Sequence, residues 1–367
     1  MVAFSVIWPD IRRTMTTFVI ALAVGGLFLQ IGFPAPFLMG SLFGVWIIGA
    51  NIKQLQPHLG VSRRFHIPVV LGLGVLIGSY FTLDVLTNAA SWYDTALVMM
   101  GVTVIVTGAG YFFLVKGRGY EPLMAFFCSI PGGQAEALLM AREQVEKDYV
   151  VALFHLIRVA AVFLSTPLIL AYVQGADAVV QSNATLTAMP SLFDLTLTQG
   201  AYFLAIAIIG YAIARVMHWP MPHLFGPVVL SAGAHMLGLV SIPRMFEFVL
   251  LAQLVIGGGV GARLACVKFS ELRAYLRDGF VMTLFILSLY FIAAFGMSAW
   301  LETDLMPLWL AFVPGGLYEV TLLALLFGFD IAFVAFHHTI RIILIFLSLP
   351  FVARKFASKT KPPERLS

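Results

Sequence analysis

Apolar residues form long continuous runs in this chain, each at least 16 residues in length and separated by short charged or Pro/Gly-containing stretches. A helix of about 20 apolar residues crosses the roughly 30 Å hydrocarbon core of a bilayer. The pattern therefore predicts an all-α integral membrane protein with about ten transmembrane helices. The predicted spans are residues 15–32, 35–51, 67–82, 94–115, 149–173, 200–217, 221–240, 247–266, 279–300 and 331–353.

Composition agrees with a lipid environment. Hydrophobic residues make up 60% of the 367 residues and charged residues only 11%, whereas about a quarter of a soluble domain is charged. The two cysteines, Cys128 and Cys266, lie inside apolar runs, which argues against a disulfide framework and a thiolate metal site. We interpret the net charge of +4 as a signal of orientation in the bilayer, and no nucleic acid partner is predicted.

An internal duplication organises the chain. The segment Phe33–Gly40 recurs as Trp219–Gly226, 186 positions later, with both prolines, the leucine and the glycine retained. Further identities keep an offset of 183: Gly74 with Gly257, Gly78 with Gly261, Pro131-Gly132-Gly133 with Pro314-Gly315-Gly316, Glu136 with Glu319, His155 with His338, and Arg158 with Arg341. This regularity predicts a first membrane repeat (1–173), an inter-repeat linker (174–199), a second membrane repeat (200–353) and a cytoplasmic tail (354–367).

A further apolar stretch lies between the fourth and fifth span of each repeat, at 121–141 and 306–328, with Pro-Gly-Gly near its middle. Proline and glycine argue against a continuous helix there. Each stretch is either a broken spanning helix, which makes the repeats parallel, or a re-entrant hairpin, which makes them inverted. If the stretches are hairpins, eighteen Lys and Arg residues lie on the cytoplasmic side and only Arg244 lies on the external side. If they span the membrane, thirteen lie on the cytoplasmic side and six on the external side. The positive-inside rule favours two inverted five-helix repeats with both termini cytoplasmic.

The two Pro-Gly-Gly tips are the predicted binding site. Interrupted helices at equivalent positions of inverted repeats mark the solute site of transporters. A half-helix begins after each triplet, and its free amides attract anions. The alternative is that each triplet is only a kink and each following Glu only a partner of the helix dipole. The candidate solute-binding residues are Pro131, Gly132, Gly133, Gln134, Glu136, Arg158, Pro314, Gly315, Gly316, Tyr318, Glu319 and Arg341.

Each repeat carries a histidine and an arginine one helical turn apart in its last span, His155 with Arg158 and His338 with Arg341. A buried arginine is costly in a bilayer, so it must have a partner or face a cavity. In one interpretation the arginines bind an anionic group and Glu or His carries a coupling proton. In the other, each Arg forms a structural ion pair with the Glu of its own repeat. The candidate proton-handling residues are Glu136, His155, Glu319 and His338; no catalytic residue, metal ligand or cofactor is predicted.

These duplicated motifs together resemble the membrane AbrB family. The Pro-x-Pro-x-Leu-x-Gly segment after the first span, the Pro-Gly-Gly-x-x-Glu tips and the His-x-x-Arg helices carry the resemblance, which extends from about residue 15 to residue 353. Members carry the labels of a transcriptional regulator or an ammonia monooxygenase. The chain has no DNA-binding segment, so the first label implies indirect regulation, and the second implies metal ligands. The topology is also similar to inverted-repeat sodium symporters of glutamate and citrate, which have Gly-Gly hairpin tips and move by an elevator motion.

The interpretation that these features favour is a secondary transporter of a small polar, carboxylate-like anionic solute in a bacterial cytoplasmic (inner) membrane, coupled to H⁺ or Na⁺. The alternative is a membrane sensor that affects gene expression through a partner, with the charged tail Arg354–Ser367 as the candidate surface. A third interpretation, an ammonia monooxygenase-like enzyme, would need bound metal. The predicted partners are the solute, the coupling ion and the lipid bilayer, and a homo-oligomer is compatible with the sequence.

The inverted topology predicts how single cysteines react when they are introduced into a cysteine-free background. Asp84→Cys and Asp304→Cys should react with a membrane-impermeant maleimide added outside intact cells. Arg273→Cys should react only after the membrane is permeabilised, because the charge distribution places Arg273 inside. Labelling of Arg273→Cys from outside, with Asp84→Cys protected, would favour parallel repeats.

Overall fold

The computed structural model of the protein describes residues 2–132, 137, 138, 140, 141, 144–219, 221–267 and 272–357. Helices dominate, and no strand occurs among these residues. In chain order the helices are α1 (Val2–Gln30), α2 (Pro36–Asn51), α3 (Arg63–Gly78), α4 (Leu83–Asn88), α5 (Tyr93–Phe112), α6 (Pro122–Ser129), α7 (Asp148–Thr187), α8 (Leu197–Val216), α9 (Pro222–Met236), α10 (Phe246–Ala265), α11 (Arg273–Leu301), α12 (Leu305–Phe312), α13 (Leu317–Phe327) and α14 (Ile331–Ala357).

Seven helices in the described part of the chain are long and apolar enough to cross a membrane, which fits a multi-pass membrane protein. They correspond to seven of the ten predicted spans. A helix suits lipid because it satisfies its backbone donors and acceptors internally. The seven membrane-length segments are Trp8–Gln30, Ala89–Gly117, Asp148–Gly175, Leu197–Val216, Phe246–Ala265, Arg273–Leu301 and Ile331–Ser348.

The other three predicted spans form shorter helices, α2, α3 and α9, of 16, 16 and 15 residues. At 1.5 Å per residue such a helix extends about 24 Å, less than the roughly 30 Å of the hydrocarbon core. A proline marks the start of two of them. Helices α2 and α9 begin at Pro36 and Pro222, directly after Ala35 and Met221 in the left-handed conformation (φ 48° and 45°). Helix length therefore does not establish the count of ten spans.

Helix α7 extends into the predicted inter-repeat linker. Its helical geometry is interrupted at Gly175 (φ 83°, ψ 174°), a conformation that glycine adopts without a Cβ clash, and the helix then continues. Ser182 Oγ donates a hydrogen bond to the Leu326 carbonyl oxygen (2.9 Å), and Asn183 Nδ2 donates to the Phe33 carbonyl oxygen (3.1 Å). These two bonds anchor the helical part of the linker to other segments of the chain.

Contacts divide the chain into two compact units. Unit 1 comprises Met1–Trp92, Phe163–Lys268 and Leu317–Ala335, and unit 2 comprises Tyr93–Val162, Phe269–Gly316 and Phe336–Ser367. Unit 1 contains α1 to α3 together with α8 to α10, and unit 2 contains α5 and α6 together with α11 and α12. Each unit thus draws on corresponding segments of both predicted repeats. The repeat boundaries themselves stay a prediction from the sequence.

Glycines bring the helices of unit 1 into close contact. Helix α2 packs on α10, where a Cβ at Gly257 would lie only 2.6 Å from the Leu38 carbonyl oxygen. Helix α3 packs on α9, where a Cβ at Gly74 would lie 2.9 Å from the Leu224 carbonyl oxygen. Small residues allow helix backbones to approach each other in membrane bundles. Both glycines, which match at the offset of 183, therefore lie on packing faces.

Gly257→Val should destabilise the protein in detergent by about 1–3 kcal/mol, because the added side chain would overlap the Leu38 carbonyl group of α2. Gly259→Ala on the same helix is the control, since nothing lies within 4 Å of a Cβ at that position. Thermal melting of both purified variants beside the wild type is the measurement. Equal melting of Gly257→Val and the wild type would contradict the close packing of α2 on α10.

Candidate functional site

Arg341 caps the end of the short helix α12. The helix ends at Phe312, and Pro314 prevents its continuation. The last carbonyl groups of a helix have no partner within that helix. Arg341 Nη1 donates hydrogen bonds to the carbonyl oxygens of Phe312 (2.8 Å) and Val313 (3.0 Å), and Nη2 donates to that of Gly315 (3.3 Å). The guanidinium charge also compensates the partial negative charge at the helix end.

His338 orients this arginine. Its Nδ1 lies 2.7 Å from Arg341 Nη2, and its Nε2 lies 2.9 Å from the Leu310 carbonyl oxygen. Arginine only donates hydrogen bonds, so Nδ1 is the acceptor and Nε2 carries the hydrogen that is donated to Leu310. His338 is fully buried and Arg341 is 1% exposed. Both ring nitrogens therefore hold structural hydrogen bonds, and a proton-handling role for His338 stays a prediction.

The predicted first repeat contains the same contact between histidine and arginine. His155 Nε2 donates to the Phe127 carbonyl oxygen (3.1 Å), and Arg158 Nη2 donates to His155 Nδ1 (2.7 Å). Both side chains are buried. In both cases the histidine bond joins residues 28 positions apart. His155, like His338, has structural partners at both ring nitrogens, and its proposed proton-handling role also stays a prediction.

Within unit 2, the two Pro-Gly-Gly triplets approach each other at Arg341. Gly132 has a φ of 145°, and a Cβ there would lie 3.3 Å from Arg341 Nε. The same guanidinium binds Gly315 of the second triplet. Pro131, Gly132, Pro314 and Gly315 are buried and Gly316 is partly buried, whereas the predicted site residues Gly133, Gln134 and Glu136 lie outside the described residues.

Arg341 has little hydrogen-bonding capacity left for a solute. Four bonds use its two terminal nitrogens, and its Nε is buried without a partner. The Nε of Arg158 is likewise buried without a partner. The Arg341 guanidinium also lies 6.0 Å from the centre of the Tyr290 ring. These contacts make Arg341 a structural cap of α12, and its predicted contact with a solute stays a prediction.

Unit 1 contains a cavity of about 520 Å³ with a basic lining. Two of the predicted site residues, Tyr318 and Glu319, line it together with residues from α1, α3 and α10. The arginines of the lining are exposed, so water reaches their charges. Three guanidinium groups and a single carboxyl group make the lining positively charged. Its charged and polar side chains are Arg13, Arg63, His66, Arg263, Cys266, Tyr318 and Glu319.

Glu319 is the buried acid of this cavity. It lies in the first turn of α13, is 3% exposed, and has an Oε2 atom that is buried without a hydrogen-bond partner. A buried polar atom without a partner destabilises the protein. A proton, or a hydrogen bond from a bound molecule, would relieve that cost at Oε2. Next to it, the ring of Tyr318 packs edge-on against the ring of His66, with 5.8 Å between their centres.

Sequence analysis did not single out the basic residues of the cavity wall. Arg13 and Arg63 enter it only through the count of charges that orients the chain, and the search for duplicated polar positions passes over Arg63, His66 and Arg263 because their equivalents 183 positions away are apolar or aromatic. Those pairs are Arg63 with Phe246, His66 with Val249, and Arg263 with Tyr80. One feature of the sequence does point to the basic cavity wall. Two arginines and a histidine in the first turn of α3 are an unusual density of positive charge for an apolar helix.

A second polar cluster lies in unit 2, between α5 and α6. Asp278 of α11 is 4% exposed, lies 3.3 Å from Arg118 Nε and accepts a hydrogen bond from the Tyr120 hydroxyl (3.3 Å). Burial, together with the Asp278 carboxylate, raises the pKa of Tyr120. Lys147 Nζ lies 3.5 Å from the Tyr275 hydroxyl. These contacts hold the α5–α6 connection on α11 beside a cavity of about 290 Å³.

Comparison with known proteins places the chain in one family. It is 26% identical to a protein of Escherichia coli (strain K12) named "Putative regulator AbrB", over 91% of this chain and 94% of that protein. It is 23% identical to "Uncharacterized protein YhjN" of Bacillus subtilis (strain 168), over 91% of this chain and 90% of that protein. No solved structure matches the chain. The family described as transition state regulatory protein AbrB matches residues 37–357, and the chain belongs to this AbrB family.

Proposed function

We propose that this protein is a secondary transporter of a small organic anion that binds in the basic cavity of unit 1. One observation carries the proposal: three arginines and a buried, unpartnered oxygen of Glu319 line the same cavity. Guanidinium groups bind carboxylates through paired, charge-assisted hydrogen bonds. The cavity volume of about 520 Å³ lies within the range of small-molecule sites, roughly 300–1,000 Å³.

Glu319 is the proposed carrier of a coupling proton. A proton added to Oε2 would neutralise the carboxylate, so that the surrounding cations would hold an anion without competition from Glu319. When one proton and one monovalent anion move together, no net charge crosses the membrane. The charged and titratable side chains that line the cavity with Glu319 are Arg13 on α1, Arg63 and His66 on α3, Arg263 on α10, Cys266 directly after α10, and Tyr318 on α13.

The proposal includes inverted repeats with two re-entrant hairpins. Helices α6 and α12 have eight residues each, which corresponds to about 12 Å, less than half of the hydrocarbon thickness. Each ends just before a Pro-Gly-Gly triplet, as the first arm of a re-entrant hairpin would. In this proposal both termini face the cytoplasm and the protein lies in the inner membrane of a bacterial cell.

The composition of the two units supports alternating access as the transport mechanism. In inverted-repeat carriers, one bundle moves as a rigid body against the other, and the solute site opens to each side in turn. Two bodies that each contain corresponding segments of both repeats are one arrangement in which such a motion can occur. Units 1 and 2 have this composition, since α1 to α3 and α8 to α10 belong to one, and α5, α6, α11 and α12 to the other.

A second candidate function is that of a membrane sensor that affects gene expression indirectly. It is favoured by the name of the Escherichia coli relative, which describes that protein as a regulator. A sensor would bind the anion in the same cavity without moving it across the membrane. Anion binding in detergent without uptake by proteoliposomes would select the sensor over the transporter.

Arg263→Gln and Glu319→Gln should both impair transport, for different reasons. Arg263→Gln removes a charged donor and should weaken anion uptake by about tenfold. Glu319→Gln should retain anion binding and abolish the stimulation of uptake by an inward proton gradient, because the proton site is lost. The measurement is uptake of labelled lactate, pyruvate, succinate, malate and citrate by proteoliposomes, with and without the gradient.

Arg215→Gln is the matched control for these variants. Arg215 is an exposed arginine of α8 that does not line the cavity, and its Nη1 lies 3.5 Å from the Tyr211 hydroxyl. This variant should transport at the wild-type rate, and melting of all variants checks that they are folded. If folded Arg263→Gln and Glu319→Gln transport like the wild type, the cavity is not the solute site.

Cys266 should report whether the cavity is occupied. It is exposed and lines the cavity, while the second cysteine, Cys128, is buried. A negatively charged maleimide should therefore label Cys266 in the purified protein, and Cys266→Ser should abolish the labelling. An acid that the protein transports should slow the reaction in proportion to the occupied fraction. Labelling that no transported acid slows would show that the anion binds elsewhere.

A further inference from the structure

We propose that Arg341 is a tethered cation in the position where a coupling sodium ion would otherwise bind, so that this carrier is coupled to protons and not to sodium. The inference rests on the proposed transport function and identifies its coupling ion. Its basis is the set of oxygen atoms around the Arg341 guanidinium in unit 2.

Backbone carbonyl groups at the end of an interrupted membrane helix are typical ligands of Na⁺ in carriers. In this chain, the carbonyl oxygens of Phe312, Val313 and Gly315 all face one guanidinium group after the last turn of α12. Arg341 Nη1 lies 2.8 and 3.0 Å from the first two oxygens, and Nη2 lies 3.3 Å from the third. The protein therefore supplies from its own α14 the positive charge that these carbonyl groups attract.

The guanidinium is held in this position independently of the carbonyl groups. His338 Nδ1 accepts a bond from Arg341 Nη2 (2.7 Å), while His338 Nε2 is bound to the Leu310 carbonyl oxygen (2.9 Å). A sodium ion at the carbonyl groups would have to displace the guanidinium and leave its buried N–H donors without partners, which is costly. Two positive charges side by side would also repel each other strongly in this buried environment.

A cation that belongs to the chain cannot couple transport to an ion gradient, since it does not exchange with the solution on either side of the membrane. The coupling charge must therefore bind at another group. Glu319 offers one, because its buried Oε2 has no partner and lines a cavity that contains exposed arginines. The two groups therefore have different roles. Arg341 stabilises the interrupted helix permanently, whereas a proton binds to Glu319 and leaves it together with the anion.

The test measures sodium binding without a transport assay. Purified wild-type protein is melted in increasing concentrations of NaCl, with choline chloride keeping the ionic strength constant. A ligand that binds the folded state raises the melting temperature as its concentration exceeds Kd. We expect the wild type to melt at the same temperature in both salts. A saturable, sodium-specific rise for the wild type would overturn the proposal.

Removal of the tethered cation should create a sodium dependence that the wild type lacks. Arg341→Met leaves the three carbonyl groups without a cation, so its melting temperature should fall in choline chloride and recover by about 2 °C or more in NaCl. Arg341→Lys keeps a tethered positive charge and should melt equally in both salts. A folded Arg341→Met variant without a sodium response would overturn the proposal, because the carbonyl groups would then not form a cation site. If this variant does not fold, the wild-type titration alone decides.

Uptake by proteoliposomes separates a failure of this inference from a failure of the proposed function. Carboxylate uptake by the wild type under an inward proton gradient should be equally fast in NaCl and choline chloride. Uptake that requires sodium would contradict the tethered-cation inference and leave the transport function intact. If no carboxylate is taken up in either salt, the transport function is contradicted, and with it the coupling inference that rests on it.

Discussion

A helix that ends inside the protein leaves carbonyl groups that water cannot reach, and every such group needs a partner from the protein. Helix α12 stops at Phe312 because Pro314 cannot continue it. Arg341 binds the carbonyl groups that have no partner within this helix, and His338 holds Arg341 in place. A buried arginine is costly alone, but here its charge and its donors match a helix end that requires both.

The environment of each arginine decides what it contributes to the protein. Arg341 is buried, and four hydrogen bonds use its terminal nitrogens, so it acts on the backbone of unit 2. Arg63 and Arg263 are exposed on the wall of a cavity in unit 1, where water reaches them. Glu319 lies in that cavity with a free, buried oxygen. The same side-chain chemistry thus stabilises the backbone in one unit and, in the proposed function, binds an anion in the other.

Much of the architecture follows from local features of the chain. Runs of apolar residues predict the helices, and the Pro-Gly-Gly triplets predict where α6 and α12 end. The spacing of three predicts the contact between His338 and Arg341, since residues three apart share a helix face. The predicted starts of α2 and α9, residues 35 and 221, agree with Pro36 and Pro222, whereas α9 ends at Met236, four residues before the predicted end. Membrane-length helices are established for seven of the ten predicted spans.

The sequence by itself determined the membrane environment, the helical class and the interrupted helices, because these depend on composition, on proline and on short-range spacing. It also singled out Glu319 and Tyr318 by their position after the second triplet. Only the tertiary structure decided that Arg341 binds carbonyl groups 26 to 29 positions earlier, and that His66 and Arg263 line a cavity with Glu319. These contacts join segments far apart in the chain. They depend on how helices pack, which no local pattern of residues encodes.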